Sequence, residues 1–234
     1  MHVERNPILS IYEIGFFTWR GYELIQEILN FFGRAICHQL DERSLHVTGT
    51  ALSVCARDTG IYIGIFSTLL YLHIFKRKAK ITIPKVKVSF LLLLLMVPMM
   101  MDGLGSYTHL FHSNNLRRLL TGICFGLALP YFLYPLTKSY ENSSEPVIKT
   151  TKDFIIPLLF SCLLGGIFYL GWLPYFLLDI LVILSVIIWF SLCASFTIPF
   201  IKRTYYKRMI SIGISITFLA ALSWLHSWLL YNWN

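Results

Sequence analysis

The chain has 234 residues, of which 56% are hydrophobic and only 14% are charged, and its mean hydropathy is +0.64. Because soluble domains carry about 25% charged residues, this composition excludes an ordinary soluble protein and favours an integral membrane protein in a lipid bilayer. The formal net charge of +8 does not indicate a nucleic-acid partner, since the basic residues lie between apolar stretches and are not interleaved with exposed aromatic residues.

The beginning of the chain is amphipathic. In residues 8–36, charged residues such as Glu13, Arg20 and Glu27 interrupt the apolar positions, whereas a helix that crosses the bilayer core needs about 20 largely apolar residues. We therefore expect an interfacial helix here, with a tilted or re-entrant span as the alternative. We assign residues 1–56 to an interfacial N-terminal segment outside the cytoplasm.

Six apolar stretches follow, and they predict an all-α fold, a polytopic bundle of transmembrane helices that occupies residues 57–234. The second stretch has the shortest apolar core, because Asp102 ends it. The predicted spans are residues 57–75, 86–103, 116–136, 154–173, 175–201 and 209–231.

The lysines predict the orientation of the bundle. All of them lie in the three alternate loops 76–87, 137–153 and 202–208, whereas the other side carries arginines and most of the acidic residues. Short loops rich in Lys and Arg remain in the cytoplasm. We therefore expect a multi-pass protein of the cell membrane with both termini outside the cytoplasm.

Residues 37–64 carry the side chains most suited to metal binding. Cys37 and His38 are adjacent, and Cys55 and Asp58 have the spacing that zinc ligands commonly use. We expect these four residues to hold Zn²⁺ or another divalent metal. A Cys37–Cys55 disulfide is one alternative, because the side of the membrane to which we assign both cysteines can be oxidising. Two free thiols are the other alternative.

Asp102 is a further candidate for chemistry. A carboxylate at the membrane edge is costly unless it has a partner or water, so ionisable groups within a membrane are candidates for function. Its alternative role is the polar end of a short helix. Arg57, Arg117 or Arg118 could pair with it. We expect Asp102, Asp58 and Arg57 to form the catalytic group.

Basic residues on the same side are candidates for binding an anionic substrate. The arginine fork suits phosphate and carboxylate groups. His109 and His112 are three residues apart, although the neighbouring glycines and asparagines favour a loop in which histidines are often merely solvated. The candidate substrate-binding residues are Arg43, Arg117, His109 and His112.

Two pairs of glycines predict a close helix contact. Gly60 and Gly64 in the first span, and Gly122 and Gly126 in the third, have the small-residue spacing that lets helices approach closely. Such packing would bring the Cys55–Asp58 turn near the arginines that begin the third span.

The motifs Cys-His-Gln and Cys-Ala-Arg-Asp-Thr-Gly, followed by a helix-end Asp-Gly, resemble an uncharacterised family of prokaryotic multi-pass membrane proteins of unknown function. The likeness covers residues 37–130. Relatives commonly have cysteine where this chain has Asp58, which weakens a purely structural zinc site and leaves catalytic zinc or another divalent metal open. The resemblance implies a site but no reaction. The matching positions are Cys37, His38, Gln39, Arg43, Cys55, Arg57, Thr59, Gly60, Gly64, Asp102, Gly103, Gly122 and Gly126.

These residues favour a membrane metalloenzyme that hydrolyses or transfers a group on a lipid or lipid-linked substrate. A transporter or permease, in which the Cys-His segment is a structural clip, is one alternative. A thiol-redox membrane protein that uses Cys37 and Cys55 as an exchanging pair is another.

Overall fold

The computed structural model describes residues 21–233, apart from residues 22, 48, 78, 138–143, 199, 200 and 202. A first helix, α1, covers residues 23–34. Six longer helices are long and apolar enough to cross a membrane, which confirms the predicted all-α, polytopic fold. They are α2 (Ala56–Phe75), α3 (Val86–Tyr107), α4 (Asn115–Leu136), α5 (Lys152–Leu170), α6 (Tyr175–Thr197) and α7 (Thr204–Trp233).

Helix α1 belongs to the segment predicted to be interfacial, of which residues 1–20 lie outside the described part. Leu24, Ile25 and Ile28 are exposed on α1. Its end is attached to α7, because Arg34 Nη1 donates to Ser227 Oγ at 3.1 Å. Its position at a membrane surface stays a prediction.

Two helix boundaries differ from the predicted spans for identifiable reasons. Helix α3 continues to Tyr107 and therefore contains Asp102. The carboxylate does not end the helix, because it is buried in the ion pairs described below. Helix α5 ends earlier than predicted, since Gly171 has a φ of 63° and caps it in the left-handed conformation that glycine adopts most readily.

A β-hairpin precedes α2, and we did not predict it from the sequence. Strand β1 (Ser44–Val47) pairs antiparallel with β2 (Thr50–Cys55). The turn between them contains Gly49, whose φ of 85° suits a residue without a Cβ atom. Because β2 runs directly into α2, the hairpin determines where Cys55 lies.

A shorter contact joins two loops at the other end of the bundle. Strand β3 (Ile81–Thr82) pairs parallel with β4 (Glu145–Pro146). Nearby, the buried Asp153 accepts a hydrogen bond from Tyr71 at 2.7 Å. It also forms an ion pair with Lys76, at an N–O distance of 2.9 Å. This end of the bundle is therefore fastened by its own polar network.

The predicted glycine contact is confirmed between α2 and α4. A methyl group added to Gly64 would lie 2.6 Å from a backbone oxygen of α4, and one added to Gly60 would also overlap the α4 backbone. Gly122 and Gly126 on α4 are equally close to the α2 backbone. The two helices therefore run in parallel, and their backbones are in direct contact at these glycines.

The helix order separates two chemically different ends. Cys55 immediately precedes α2 and Lys76 immediately follows it. A helix of this length spans about 30 Å at about 1.5 Å per residue. Cys55 and Lys76 therefore lie at opposite ends of the bundle, while the assignment of these ends to the two faces of a membrane stays a prediction.

The α2–α4 contact generates a stability prediction. Gly64→Ala should lower the free energy of unfolding by about 1–3 kcal/mol, because the added methyl group pushes two backbones apart. Gly213→Ala is the matched control: it has the same gain in helix propensity, but its methyl group meets nothing within 4 Å. Thermal unfolding in detergent measures both. Equal unfolding temperatures for the two variants would contradict the close contact.

Candidate metal centre

Two thiols and one carboxylate meet at the beginning of α2. Cys37 follows α1, Cys55 ends β2, and Asp58 lies in the first turn of α2. The two sulfur atoms and one carboxylate oxygen all lie within 4.8 Å of one another. Cys55 Sγ donates to Asp58 Oδ2 at 3.1 Å, and the Cys55 backbone N–H donates to Cys37 Sγ at 3.2 Å. Both cysteines are free thiols in this structure.

Gln39 holds the Cys37 loop in place. Its side-chain amide donates to the backbone oxygen of Asn30 at 2.8 Å and to that of Ser53 at 2.9 Å. One amide therefore joins α1, the cysteine loop and β2. Gln39 also has a φ of 53°, a conformation that non-glycine residues rarely adopt, so the loop is held in an unusual local shape. The Gln of the Cys-His-Gln motif thus has a positioning role.

Asp179 holds the other cysteine in place from α6. Its buried carboxylate accepts hydrogen bonds from Ser53 N at 3.0 Å and Ser53 Oγ at 2.6 Å, and a third from Tyr175 at 3.2 Å. We did not predict these contacts from the sequence. The available signal was a carboxylate inside the most apolar span, where an ionisable group needs specific partners.

The hydrogen bonds between the two thiols make them unequal. Hydrogen bonding from Cys55 lowers the pKa of the Cys37 thiol below its ordinary value, although burial opposes this effect. The same thiol–thiol hydrogen bond raises the pKa of Cys55, and burial and the nearby Asp58 carboxylate raise it further. The Cys37 thiol therefore loses its proton more readily than the Cys55 thiol.

His38 lies outside this group of donors. It is exposed, and its ring packs edge-on against His226, with the ring centroids 5.0 Å apart. The structure therefore brings together Cys37, Cys55 and Asp58, and leaves the fourth predicted ligand outside the group. Adjacent residues generally point apart, which accounts for the separation of His38 from Cys37.

The donor set fits a divalent metal. Tetrahedral zinc with Zn–S bonds of about 2.3 Å and Zn–O bonds of about 2.0–2.2 Å requires its ligand atoms to be about 3.5–3.8 Å apart. The three donor atoms are within 4.8 Å of one another, and the Cys55–Asp58 pair is 3.1 Å apart. Shifts of about an ångström or less would produce metal geometry.

Asp102 is clamped by groups from two other helices. Its fully buried carboxylate pairs with Arg57 of α2 and with Arg117 Nε of α4, the latter at 3.0 Å. Ser113 Oγ also donates to it at 2.6 Å. The predicted pairing is confirmed for Arg57 and Arg117. Arg118 instead donates to Asn115 Oδ1 at 3.3 Å.

A polar cleft of about 340 Å³ lies next to this clamp. Three of the candidate substrate-binding residues line it, namely Arg43, His109 and His112. The fourth, Arg117, binds Asp102 and stacks over the ring of Phe111, with its Cζ atom 4.2 Å from the ring centroid. Both histidines lie in the non-helical loop between α3 and α4. The cleft residues also include Glu42, Ser106, Phe111, Ser113 and Arg118.

The Asp102 clamp generates a second stability prediction. Asp102→Asn should lower the free energy of unfolding by about 3–5 kcal/mol, because it leaves two arginines without their buried counter-charge. Combining it with Arg57→Gln should cost less than the sum of the two single changes. The control is Asp41→Asn, which affects an exposed acid paired with His46 and should change stability by at most about 1 kcal/mol. Strictly additive losses in denaturant unfolding would contradict the clamp.

Comparison with known proteins places this region in a family. Residues 37–132 match the model of the family described as "Predicted membrane protein (DUF2085)". Over 133 residues, the chain is 29% identical to an uncharacterized protein of Methanocaldococcus jannaschii, covering 55% of this chain and 83% of that one. Over 96 residues, it is 38% identical to an uncharacterized protein of Methanothermobacter thermautotrophicus, covering 41% of this chain and 82% of that one.

No solved structure matches the chain. The matched residues contain Cys37, Cys55, Asp58 and the Asp102 clamp, whereas Asp179 lies beyond them. The candidate centre is thus contained in the part of the chain that its relatives share. This chain belongs to the DUF2085 family of predicted membrane proteins.

Proposed function

We propose that this protein is a membrane metalloenzyme that binds a divalent cation, most suitably Zn²⁺, through Cys37, Cys55 and Asp58. The observation that carries the proposal is the convergence of three donor atoms, from three segments of the chain, to within 4.8 Å of one another. Two of these donors are thiols, which favour zinc over magnesium or calcium.

The number of ligands supports a catalytic centre over a structural one. Structural zinc sites are closed by four protein ligands, whereas catalytic sites have three and leave one position for water or substrate. With His38 outside the group, the residues that the structure describes supply three. A bound ion there would polarise a carbonyl or phosphoryl oxygen or lower the pKa of a water molecule.

The surroundings support a lipid or lipid-linked substrate. Arg57 lies in sequence between Cys55 and Asp58 and connects the candidate centre to Asp102. The polar cleft adjoins Asp102 through Ser113. Hydrolysis or group transfer at a head group fits a site at the end of a membrane bundle. In this proposal Asp102 and Arg57 position the substrate or the attacking water.

The transporter alternative receives less support from the described helices. Their charged side chains lie close to helix ends, whereas transporters bind substrates near the bilayer midplane. The thiol-redox alternative uses the same pair of cysteines, so an experiment must separate it from metal binding.

Metal content tests the proposal directly. Protein purified in detergent should contain about one zinc per chain by mass spectrometry. Changes to residues that support metal ligands weaken metal binding roughly 10–100-fold. Cys37→Ser, Cys55→Ser and Asp58→Ala should each weaken zinc binding by more than this. Asp58→Cys should retain zinc, since thiolate is also a zinc ligand. Cys162→Ser, at an exposed position on α5, is the matched control and should change nothing.

The same preparations separate the alternatives. Metal-free protein in which both thiols become protected from alkylation on mild oxidation would favour the redox function. Metal-free protein with freely reactive thiols would contradict both functions. Stoichiometric zinc that survives Cys37→Ser and Cys55→Ser would contradict the proposed ligands.

The orientation is a separate part of the proposal, with the candidate centre outside the cytoplasm. A membrane-impermeant maleimide applied to intact cells should label Trp172→Cys, in the exposed turn between α5 and α6. It should not label Lys80→Cys, at the opposite end, until the cells are permeabilised. Both residues are exposed, which makes them a matched pair. The reverse labelling pattern would place the centre in the cytoplasm.

A further inference from the structure

The cleft next to the Asp102 clamp has an excess of positive charge. Among the described residues, four guanidinium groups line the cleft or the adjoining ion pair, and two carboxylates oppose them. In a partly buried site such an excess is unfavourable unless an anion binds there. The arginines are Arg43, Arg57, Arg117 and Arg118, and the acids are Glu42 and Asp102.

Two of these arginine donors have no acceptor among the described residues. The Nε atoms of Arg43 and Arg57 are buried without a hydrogen-bond partner in the part of the chain that the structure describes. Arg43 Nε is 3.6 Å from Glu42, beyond hydrogen-bonding distance. Arg118 is 8% exposed and makes a long 3.3 Å hydrogen bond to Asn115. Donors without acceptors leave the positive charge of these arginines poorly compensated, and an anion in the cleft would offset that charge.

The end of a long helix adds to this potential. Three residues that line the cleft, Phe111, His112 and Ser113, directly precede α4. Helix α4 begins at Asn115, and its N-cap Asn114 accepts a hydrogen bond from the Arg117 backbone at 2.8 Å. The positive end of the helix dipole therefore lies beside the arginines and favours a bound anion.

The cleft has the size of a head-group site, with apolar surface beside it. Its volume of about 340 Å³ is near the lower limit of small-molecule sites, which measure about 300–1,000 Å³. Leu104, Tyr107 and Leu110 alternate in sequence with the cleft residues and are 72%, 69% and 80% exposed. Acyl chains would contact this apolar surface while only the polar group enters the cleft.

We infer that this cleft binds the phosphate group of an anionic lipid. Arginine forks bind phosphate oxygens in pairs, and Arg43 and Arg118 are the two that line the cleft itself. Phosphate binding here needs no metal. The identification of this lipid as the substrate rests on the proposed function, with Arg57 as the link between the cleft and the candidate metal centre.

Binding of dioctanoyl phosphatidic acid to the full chain in an uncharged detergent tests this inference. The same lipid without phosphate, dioctanoylglycerol, is the ligand control, and inorganic phosphate is the competitor that distinguishes a lipid from a free anion. We expect phosphatidic acid to bind and dioctanoylglycerol not to bind. Arg43→Gln and Arg118→Gln should each weaken the binding of phosphatidic acid at least about tenfold, because each loses a charge-assisted pair. Higher salt should weaken binding, since part of it is electrostatic.

Control variants separate this inference from the metal centre and from folding defects. Arg34→Gln changes an arginine that contacts Ser227, outside the cleft, and should bind like the parent. Cys37→Ser should lose zinc and retain the lipid. Arg118→Lys preserves the buried charge and should recover part of the affinity if Arg118→Gln acts through binding.

Three outcomes would overturn the inference. The first is equal affinity of Arg43→Gln and the parent for phosphatidic acid, and the second is binding of dioctanoylglycerol as tightly as phosphatidic acid. The third is a protein that binds inorganic phosphate but not phosphatidic acid. Zinc without lipid binding would refute this inference alone. Lipid binding without zinc would refute the proposed metalloenzyme alone.

Discussion

The close contact between α2 and α4 is the constraint on which the rest of this structure depends. Gly60, Gly64, Gly122 and Gly126 remove the side chains that would otherwise separate the two backbones. Because α2 and α4 run in parallel, their first turns lie side by side. Arg57 and Arg117 therefore reach the same carboxylate of α3, and the buried charge becomes a joint between three helices. A larger residue at the contact would therefore separate the groups of the Asp102 clamp as well as the helices.

The candidate centre depends on a second, more distant attachment. Its two thiols come from a loop and from the strand that leads into α2. Gln39 ties the loop to the strand, and Asp179 ties the strand to α6. The thiols consequently lie on a supported surface at the end of the bundle, as a preorganised metal site requires. The cost is a buried carboxylate, which is tolerable only because Ser53 and Tyr175 provide its hydrogen bonds.

Local patterns predicted much of this molecule. The six apolar stretches correspond to the six long helices, since membrane spans are determined by composition over about 20 residues. The glycine contact also follows from short-range spacing. The partnership of Asp179 with Ser53 could not be predicted, because it joins residues far apart in sequence through side-chain geometry. The exclusion of His38 likewise depends on the shape of one turn. The hairpin escaped prediction because strands this short carry little signal beside strongly apolar helices.

X-ray absorption at the zinc edge tests the central claim most directly, because it reports the ligands of the metal in the intact protein. The proposed centre predicts two sulfur ligands at about 2.3 Å and lighter oxygen ligands at about 2.0–2.2 Å. Asp58→Cys should raise the sulfur count to three. A first shell without sulfur, or an unchanged shell in Asp58→Cys, would contradict a metal centre at the beginning of α2.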